Sequence, residues 1–287
     1  MSYVPAIPLS GLAGWQFLTR TEETQRAAFV SGAQIEREVA YFKENIGAAD
    51  TVDKLLEDRT LLSVALGAFG LGDEIDKTAW IRRVLEEGTE SEEAFANQLS
   101  DTRWQDFSTE LGYGNQLGSR VGFDFVVERM VTQYQARSFE IAVGEVDESM
   151  RLALNFRDYI GDLVDPEATD LTNWFSIMAD QPIREVLDKA LNLPAEFSQL
   201  DLNKQVEIYA DRAQSVLGVS SPADLADPDI ADEAIRLYLV RAEIEAGPNQ
   251  LTPGFGALTL LQAAGSGGQI GGGSSADGLL NLLSSQG

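Results

Sequence analysis

Carboxylates are the main chemical groups of this sequence, and their densest cluster is a run of five near residue 230. Carboxylate oxygens are the ligands that Ca²⁺ prefers, so such a run suggests a calcium loop. However, Pro228 interrupts the run, no glycine occupies the sixth position, and Tyr238 stands where a bidentate Glu would close the loop. We therefore expect acidic first turns of helices and no metal site. The run consists of Asp224, Asp227, Asp229, Asp232 and Glu233.

A glycine-rich segment, GYGNQLGSRVG at residues 112–122, is the second candidate for chemistry. A phosphate-binding turn of this kind must follow a strand and open a helix within a βαβ unit. The preceding DFSTEL segment has a helical pattern, and no Lys-Ser or Lys-Thr follows as in a Walker loop. We therefore predict a connection between two halves of the chain, with no nucleotide and no other cofactor.

Histidine and cysteine are both absent. Their absence excludes the usual catalytic triads, thiolate nucleophiles and zinc sites. An enzyme would have to use carboxylates, Lys, Tyr or Ser alone, and we predict no catalytic residues. The enzymatic alternative is a carboxylate-based hydrolase, which would require two buried carboxylates facing each other in a cleft.

The net charge of −25 and the pI near 4.2 bear on the choice of partner. Binding to nucleic acid requires clustered Lys and Arg, so nucleic acid is not an expected partner. No run of 18 apolar residues occurs, which argues against a membrane span. The apolar N-terminus lacks a positive start and contains Pro5 and Pro8, which argues against a cleaved secretory signal.

The charge distribution divides the chain into four parts. Residues 1–19 carry no charge, and residues 248–287 carry only Asp277. We predict an extended arm at 1–19 that packs on the body with Trp15 buried, and a flexible Gly/Ser-rich tail at 248–287. The body between them consists of helical halves at 20–118 and 119–247. The predicted partner-binding residues are the tail leucines Leu260, Leu261, Leu279, Leu280, Leu282 and Leu283.

Two blocks of sequence recur in both halves. Residues 42–47 match residues 156–161, and residues 58–71 match residues 180–193 at an offset of 122. The apolar positions of the second block fall at i, i+3, i+4, i+7 and i+8, the stripe of a helix that buries one face. We predict N-caps at Asp58 and Asp180, and helix ends at Gly47 and Gly161. The fold class is all-α with internal duplication, the alternative being a chance likeness of amphipathic helices.

One long helix is predicted in the second half. The helical period is almost unbroken over residues 123–164, and about 40 residues of helix would extend roughly 60 Å. Because that is longer than ordinary globular helices, a break at Gly144 or near Ser138 stays open.

A set of residues spread over positions 14–103 forms a recognisable family pattern: Gly14, Trp15, Leu18, Thr21, Gln25, Phe29, Tyr41, Phe42, Ile46, Asp58, Arg59, Leu61, Leu62, Ala68, Phe69, Gly70, Leu71, Val84, Leu85, Phe95, Ala96, Asn97, Leu99, Asp101 and Arg103. In these residues the sequence resembles the DUF1217 family of alphaproteobacterial proteins, whose genes are associated with flagellar clusters. The resemblance implies a helical structural or accessory protein of the flagellum, and the family supplies no catalytic residues to transfer.

These observations together predict a non-enzymatic, flagellum-associated protein that acts through protein contacts. The expected partners are flagellar or export-apparatus proteins, with self-association as a further expectation. The expected location is the flagellum, reached by export without a cleaved signal. The alternative is a cytoplasmic flagellar assembly factor or export chaperone, which the strong acidity and the apolar ends of the chain would suit.

Overall fold

The computed structural model of the chain describes residues 3–247, which form twelve α-helices joined by loops and short 3-10 helices. No strand occurs within this range, and the all-α prediction is confirmed. The 3-10 helices are Ile46–Ala48, Gly72–Glu74, Phe95–Gln98, Ala195–Gln199 and Pro222–Ala226. The α-helices are α1 (Gly11–Val30), α2 (Ala33–Asn45), α3 (Val52–Glu57), α4 (Arg59–Ala68), α5 (Thr78–Glu87), α6 (Arg103–Leu111), α7 (Asp124–Gly144), α8 (Glu148–Leu163), α9 (Asp170–Ala179), α10 (Gln181–Ala190), α11 (Leu202–Leu217) and α12 (Pro228–Ala246).

The hydrophobic core is built around α7 and α8. Helix α4 packs against α7, while α10 and α12 pack against α8. Phe139 of α7 and Phe156 of α8 are fully buried where these layers meet. Because aromatic side chains bury a large apolar area, this junction is a main source of stability. Residues from both predicted halves, 20–118 and 119–247, line the same core.

Asp58 and Asp180 occupy the N-cap positions of α4 and α10. One carboxylate oxygen of Asp58 accepts hydrogen bonds from the backbone N–H groups of Thr60 and Leu61, each at 3.0 Å. Asp180 accepts from the N–H of Ile183 at 3.0 Å. Burial opposes ionisation of Asp58, but the hydrogen bonds from Tyr41 and the backbone outweigh it and lower the pKa of this carboxyl. Both residues satisfy N–H groups that would otherwise lack a partner within the helix.

Replacing either cap by Ala should lower the free energy of unfolding by about 1 kcal/mol, because a first-turn N–H loses its acceptor. Urea denaturation of Asp58→Ala and Asp180→Ala measures the loss. Glu57→Ala is the control, since Glu57 is exposed and does not cap a helix. Negligible losses for both caps would contradict the assigned role.

Helices α4 and α10 also end alike. Gly70 has a φ of 69°, and Asn192, its counterpart at an offset of 122, has a φ of 54°. After each helix the next N–H turns back to an earlier carbonyl: Leu71 donates to Leu66, and Leu193 to Asp188, both at 2.9 Å. This is the Schellman arrangement, which caps helix carbonyls. Cap and end therefore recur at one offset, as duplication would require, and the duplication itself stays a prediction.

The predicted glycine C-caps at Gly47 and Gly161 are wrong. Gly47 lies in the 3-10 helix Ile46–Ala48, and Gly161 lies inside α8. Neither has a positive φ. Helix α8 continues past Gly161 because apolar packing continues, with Leu163 partly buried and Val164 buried. A glycine in a helix weakens it by about 1 kcal/mol, a cost that tertiary packing can offset.

The single long helix predicted over residues 123–164 is two helices. Helix α7 ends at Gly144, and α8 begins at Glu148. Asp147 caps the second helix by accepting from the N–H groups of Ser149 at 2.9 Å and Met150 at 3.3 Å. The break at Gly144 is the correct alternative, because the Asp147 cap lets the chain turn and α8 pack back on α7.

The extended arm predicted at residues 1–19 is helical in its second part, because α1 begins at Gly11. Leu12, Trp15 and Leu18 recur at helical spacing, and the absence of charge does not oppose a helix that buries one face. The predicted burial of Trp15 is confirmed, and Leu18 is fully buried beside it. The predicted tail at 248–287 lies outside the described residues.

An ion-pair network joins α1 to α8. The Arg157 guanidinium donates two hydrogen bonds to the Glu22 carboxylate, both at 2.8 Å, and Arg26 donates a third at 2.8 Å. Arg26 also pairs with Asp158 at 2.9 Å. The Glu22 side chain is only 14% exposed. Burial alone would raise the pKa of Glu22, but the hydrogen bonds and charges of Arg157 and Arg26 outweigh it, so the pKa is lowered.

This network predicts a pH-dependent stability. Since the folded pKa of Glu22 lies below its ordinary value of 4.5, its stabilisation is complete well above pH 4.5 and is lost as the pH falls through the folded pKa. At neutral pH Glu22→Gln should lower the free energy of unfolding by about 1.5 kcal/mol. The difference from wild type should shrink towards pH 3. Denaturant melts across this range test it, with the exposed Glu23→Gln as control. If wild type and Glu22→Gln differed in free energy of unfolding by the same amount at every pH, the ionised Glu22 carboxylate would not be the source of the stabilisation.

Candidate interaction surface

The loop between α6 and α7, residues 112–123, is held in one conformation by its own backbone. Gly112 ends α6 with a φ of 70°, and its N–H donates to the carbonyl of Ser108 at 2.9 Å. The N–H of Arg120 donates to the carbonyl of Leu111 at 2.8 Å, which brings the end of the loop back to its start. Phe123 then donates to the carbonyl of Arg120 at 3.1 Å, directly before α7.

Side chains anchor this loop to other parts of the fold. The Asn115 carbonyl oxygen accepts from the N–H of Thr89 at 2.9 Å, beyond the end of α5. The Tyr113 hydroxyl donates to the carbonyl of Ala49 at 2.5 Å, before α3. Two long-range contacts from neighbouring residues restrict the motion of the loop.

The loop also packs backbone to backbone against the end of α5. A Cβ atom on Gly114 would lie 2.4 Å from the Gly88 nitrogen and 2.5 Å from the Glu86 oxygen. Gly88 itself has a φ of 66° and a ψ of −150°, a conformation that requires glycine. Glycines in this segment therefore permit close packing.

This anchored loop presents large apolar side chains to solvent. Leu117 at its tip is 95% exposed, while Phe123 and Phe125 at the start of α7 are 54% and 58% exposed. The two Phe rings stack with centroids 5.8 Å apart and an interplanar angle of 18°. Exposed apolar residues scattered singly are normal, but two stacked aromatic rings that are both more than half exposed are a concentrated apolar feature.

Two arginines flank the aromatic pair. The guanidinium carbons of Arg120 and Arg129 lie 5.9 and 5.8 Å from the centroid of the Phe125 ring. The Glu110 carboxylate accepts from the Nε of Arg129 at 2.8 Å and from its Nη2 at 2.5 Å. Arg120 donates to the carbonyl of Thr109 at 3.3 Å. Cation–π attraction and these hydrogen bonds hold both guanidinium groups beside the ring.

We call Leu117, Arg120, Phe123, Phe125 and Arg129 together the loop surface. Aromatic and arginine side chains are enriched at the energetic centres of protein–protein interfaces. A surface held rigid before binding loses less conformational entropy when a partner docks. The loop surface is therefore chemically suited to protein recognition.

A charged cleft of about 510 Å³ between α6, α8 and α10 is the place to look for enzymatic chemistry. Four carboxylates line it, Asp101, Glu148, Asp180 and Glu185, and none of these four is buried. Arg103 donates to both carboxylate oxygens of Asp101, at 2.8 and 2.7 Å. Arg151 binds Glu148 in the same way, and Asp180 caps α10. These contacts stabilise the helix junction, and the paired buried carboxylates of a hydrolase do not occur among the four.

A groove of about 790 Å³ between α10 and α12 is also polar. Arg241 donates to the carbonyl of Lys189 at 3.1 Å, and Arg212 donates to that of Leu191. Lys189 pairs with Glu245 at 2.8 Å. Burial and the nearby Arg212 lower the pKa of Arg241. The two arginines stabilise the C-terminal end of α10, where cations complement the helix dipole.

The acidic run near residue 230 forms helix starts. Asp224 completes a capping box with Ser221, accepting from the N–H of Ser221 at 2.9 Å. Asp227 caps α12 by accepting from the N–H of Asp229 at 2.9 Å, with Pro228 in the first turn. Glu233 is paired with Arg236. Helix caps therefore account for two of the run's five carboxylates, and an ion pair accounts for a third.

The glycine-rich segment follows a helix, as expected, but the exposure of the aromatic rings that follow it was not predicted. The helical period of the sequence placed Phe123 on a buried stripe. Phe123 precedes α7 as its N-cap residue, so the helical period does not decide whether its ring is buried. The glycines at 112–122, which mark a loop directly before Phe123, are the signal that could have placed this residue outside the helix.

The loop surface includes neither the predicted partner-binding leucines nor the predicted helix caps. The tail leucines, from Leu260 to Leu283, lie beyond the region that the structure describes. Asp58 and Asp180 lie at the starts of α4 and α10, which they cap. Over residues 3–247, none of the helices has the length and apolar character needed to cross a bilayer.

Comparison with solved structures places the fold beside a bacterial protein. The chain resembles the X-ray structure of Protein AGR_C_984 from Agrobacterium tumefaciens with a TM-score of 0.69 and 22% sequence identity. The similarity covers 85% of this chain and 100% of the other. At this identity the likeness concerns the fold alone. A search among curated proteins finds no match.

The sequence also matches a family model, described as a protein of unknown function (DUF1217), over residues 68–230. The match begins at Ala68, near the end of α4, and extends past the loop surface into α12. It therefore includes the charged cleft, the loop surface and most of the core helices. Because more than half of the sequence matches, the chain belongs to the DUF1217 family.

Proposed function

We propose that the protein is a non-enzymatic, flagellum-associated structural or accessory protein that acts through protein–protein contacts at the loop surface. The observation that carries this proposal is the pair of stacked, half-exposed rings of Phe123 and Phe125 on an anchored loop. Fully burying a large apolar side chain is worth about 1.5–3 kcal/mol, and burial against a partner would recover the part of this that the half-exposed rings lack in the free protein.

The contacts around these rings support recognition of a protein. Arg129 is held by Glu110, and the loop is fixed through Asn115 and Tyr113. Interface energy concentrates in such fixed aromatic and arginine residues. In the charged cleft, by contrast, Asp101, Glu148 and Asp180 are already engaged in ion pairs or a helix cap. The non-enzymatic part of the proposal follows from this contrast.

The flagellar part of the proposal derives from the resemblance to DUF1217, which implies a setting among flagellar genes. The proposed partners are flagellar or export-apparatus proteins, and the proposed location is the flagellum, reached by export. The uncharged segment at 1–19 and the absence of cysteine suit passage through a narrow export channel. The tail leucines are a second proposed contact.

Culture supernatants from cells with and without an active flagellar export apparatus test the location. We expect the protein in the supernatant or the flagellar fraction only when export is active. A protein that stays in the cytoplasm in both strains would overturn the exported role and favour an assembly factor or export chaperone. In that case, pull-down should recover one flagellar substrate in a defined ratio.

A further inference from the structure

The charge of Arg120 is not neutralised within the described part of the chain. No carboxylate in residues 3–247 lies within ion-pairing distance of Arg120, and its guanidinium donates only to the carbonyl of Thr109, at 3.3 Å. Four other arginines, Arg20, Arg37, Arg212 and Arg241, also lack an acidic partner within residues 3–247. Arg120 differs from them because its guanidinium lies over an aromatic ring, with 5.9 Å from the guanidinium carbon to the centroid of the exposed Phe125 ring.

Arg129 provides an internal comparison. It lies at almost the same distance from Phe125, 5.8 Å, but its charge is neutralised by Glu110 at 2.5 Å. The Arg129 guanidinium therefore supports the Phe125 ring, whereas the Arg120 guanidinium retains N–H donors for a partner. An arginine offers five N–H donors in a planar fork that matches a carboxylate.

We propose that the loop surface binds an acidic, apolar segment of a partner protein. One carboxylate of that segment binds Arg120, and a neighbouring apolar side chain packs on the Phe123–Phe125 pair. This inference deepens the proposed function and rests on it. Charge complementarity at Arg120 gives the chemical class of the segment, and the stacked rings give its apolar component.

The geometry also sets the spacing between the acidic and the apolar side chain of the partner segment. The Arg120 guanidinium and the Phe125 ring are 5.9 Å apart. Side chains three or four residues apart on a helix have Cβ atoms about 5–6 Å apart. Side chains two apart on a strand are about 6.6 Å apart on one face. The acidic and the apolar residue should therefore be separated by two to four positions.

An anionic bilayer is the main competing ligand, because arginine and phenylalanine also suit a membrane interface. The surroundings of the loop surface disfavour it. Asp124 and Glu128 adjoin Phe125 on α7, and the whole chain carries a net charge of −25. A short segment can place one carboxylate on Arg120, whereas a flat anionic surface would also face the neighbouring carboxylates.

Synthetic peptides titrated against the full-length protein test the proposal by calorimetry. The first peptide carries Glu with Leu and Phe at i, i+3 spacing, the second replaces every Glu by Lys, and the third replaces Leu and Phe by Ser. We expect binding of the first peptide, with at least about tenfold weaker binding of the other two. Equal or tighter binding of the basic peptide, or no binding of the first, would overturn the proposal.

Variants locate the binding. Arg120→Gln and Phe125→Ser should each weaken the first peptide at least about fivefold. Arg37→Gln and Ile244→Ser, which change exposed residues outside the loop surface, should leave it unchanged. Unchanged binding in Phe125→Ser would overturn the assigned site. In a last titration, phosphatidylglycerol vesicles replace the peptide. Vesicle binding that requires Phe125 would overturn the proposal in favour of a membrane ligand.

The outcome for this inference is separable from that for the proposed function. If the acidic peptide fails but loss of the Phe pair still removes the cellular partner, the acidic class is wrong and the protein-contact function stands. If the Phe pair is not needed for any partner, the proposed function fails as well.

Discussion

Replacing both Phe123 and Phe125 by Ser should weaken the complex with the cellular partner about 100-fold, because the central aromatic contact of the loop surface is lost. The free energy of unfolding should change by less than about 0.5 kcal/mol, since both rings are more than half exposed in the free protein. Co-purification yield with the partner and urea denaturation measure the two quantities on the same samples.

Ile244→Ser is the matched control for this double variant. Ile244 is 74% exposed on α12, so Ile244→Ser removes exposed apolar surface outside the loop surface. Ile244→Ser should alter neither the affinity for the partner nor the free energy of unfolding. Equal losses of partner in the control and in the double variant would show that general surface hydrophobicity, and not the loop surface, governs binding.

Gly114→Ala should lower the free energy of unfolding by about 3 kcal/mol, because its Cβ would overlap backbone atoms that cannot rotate away. The overlap is with the Gly88 nitrogen at 2.4 Å and the Glu86 oxygen at 2.5 Å. Partner binding should fall too, although Gly114 is not part of the loop surface, since the displaced loop would misplace Phe123. Denaturant melts and partner capture provide the readouts.

Gly122→Ala belongs to the same loop and serves as the control. A Cβ there meets nothing within 4 Å, and its φ is not positive. This substitution should be neutral or slightly stabilising, because Ala restricts the unfolded chain. If both glycine variants behave alike, the close backbone packing does not hold the loop.

Local signals explain what the sequence could predict. The caps at Asp58, Asp180 and Asp227 depend on short-range hydrogen bonds, so a carboxylate before an apolar stripe is enough to place them. The stripe itself identified the buried face of α4, where Leu61 and Val64 are buried as expected. Helix type and the buried face of α4 could therefore be read from periodicity.

Features that depend on contacts between distant parts of the chain could not be predicted. The loop at 112–123 is fixed by Thr89 and Ala49, residues more than twenty positions away in sequence. The periodicity of apolar residues carries no information about such distant contacts. The glycine-rich composition therefore indicated only a connection between two halves of the chain. The helix end predicted at Gly161 is wrong for a related reason. Packing of Leu163 and Val164 extends α8 past this glycine, although glycine often ends helices.

The most direct test of the loop surface is site-specific photocrosslinking in motile cells. Leu117, which is 95% exposed at the tip of the loop, is replaced by benzoylphenylalanine, and Ile244 is replaced in a parallel strain. We predict one defined adduct at Leu117, identified by mass spectrometry as a flagellar or export-apparatus protein, that disappears when Phe123 and Phe125 are changed to Ser. No adduct at Leu117, or the same adducts from both positions, would contradict the assignment of this surface.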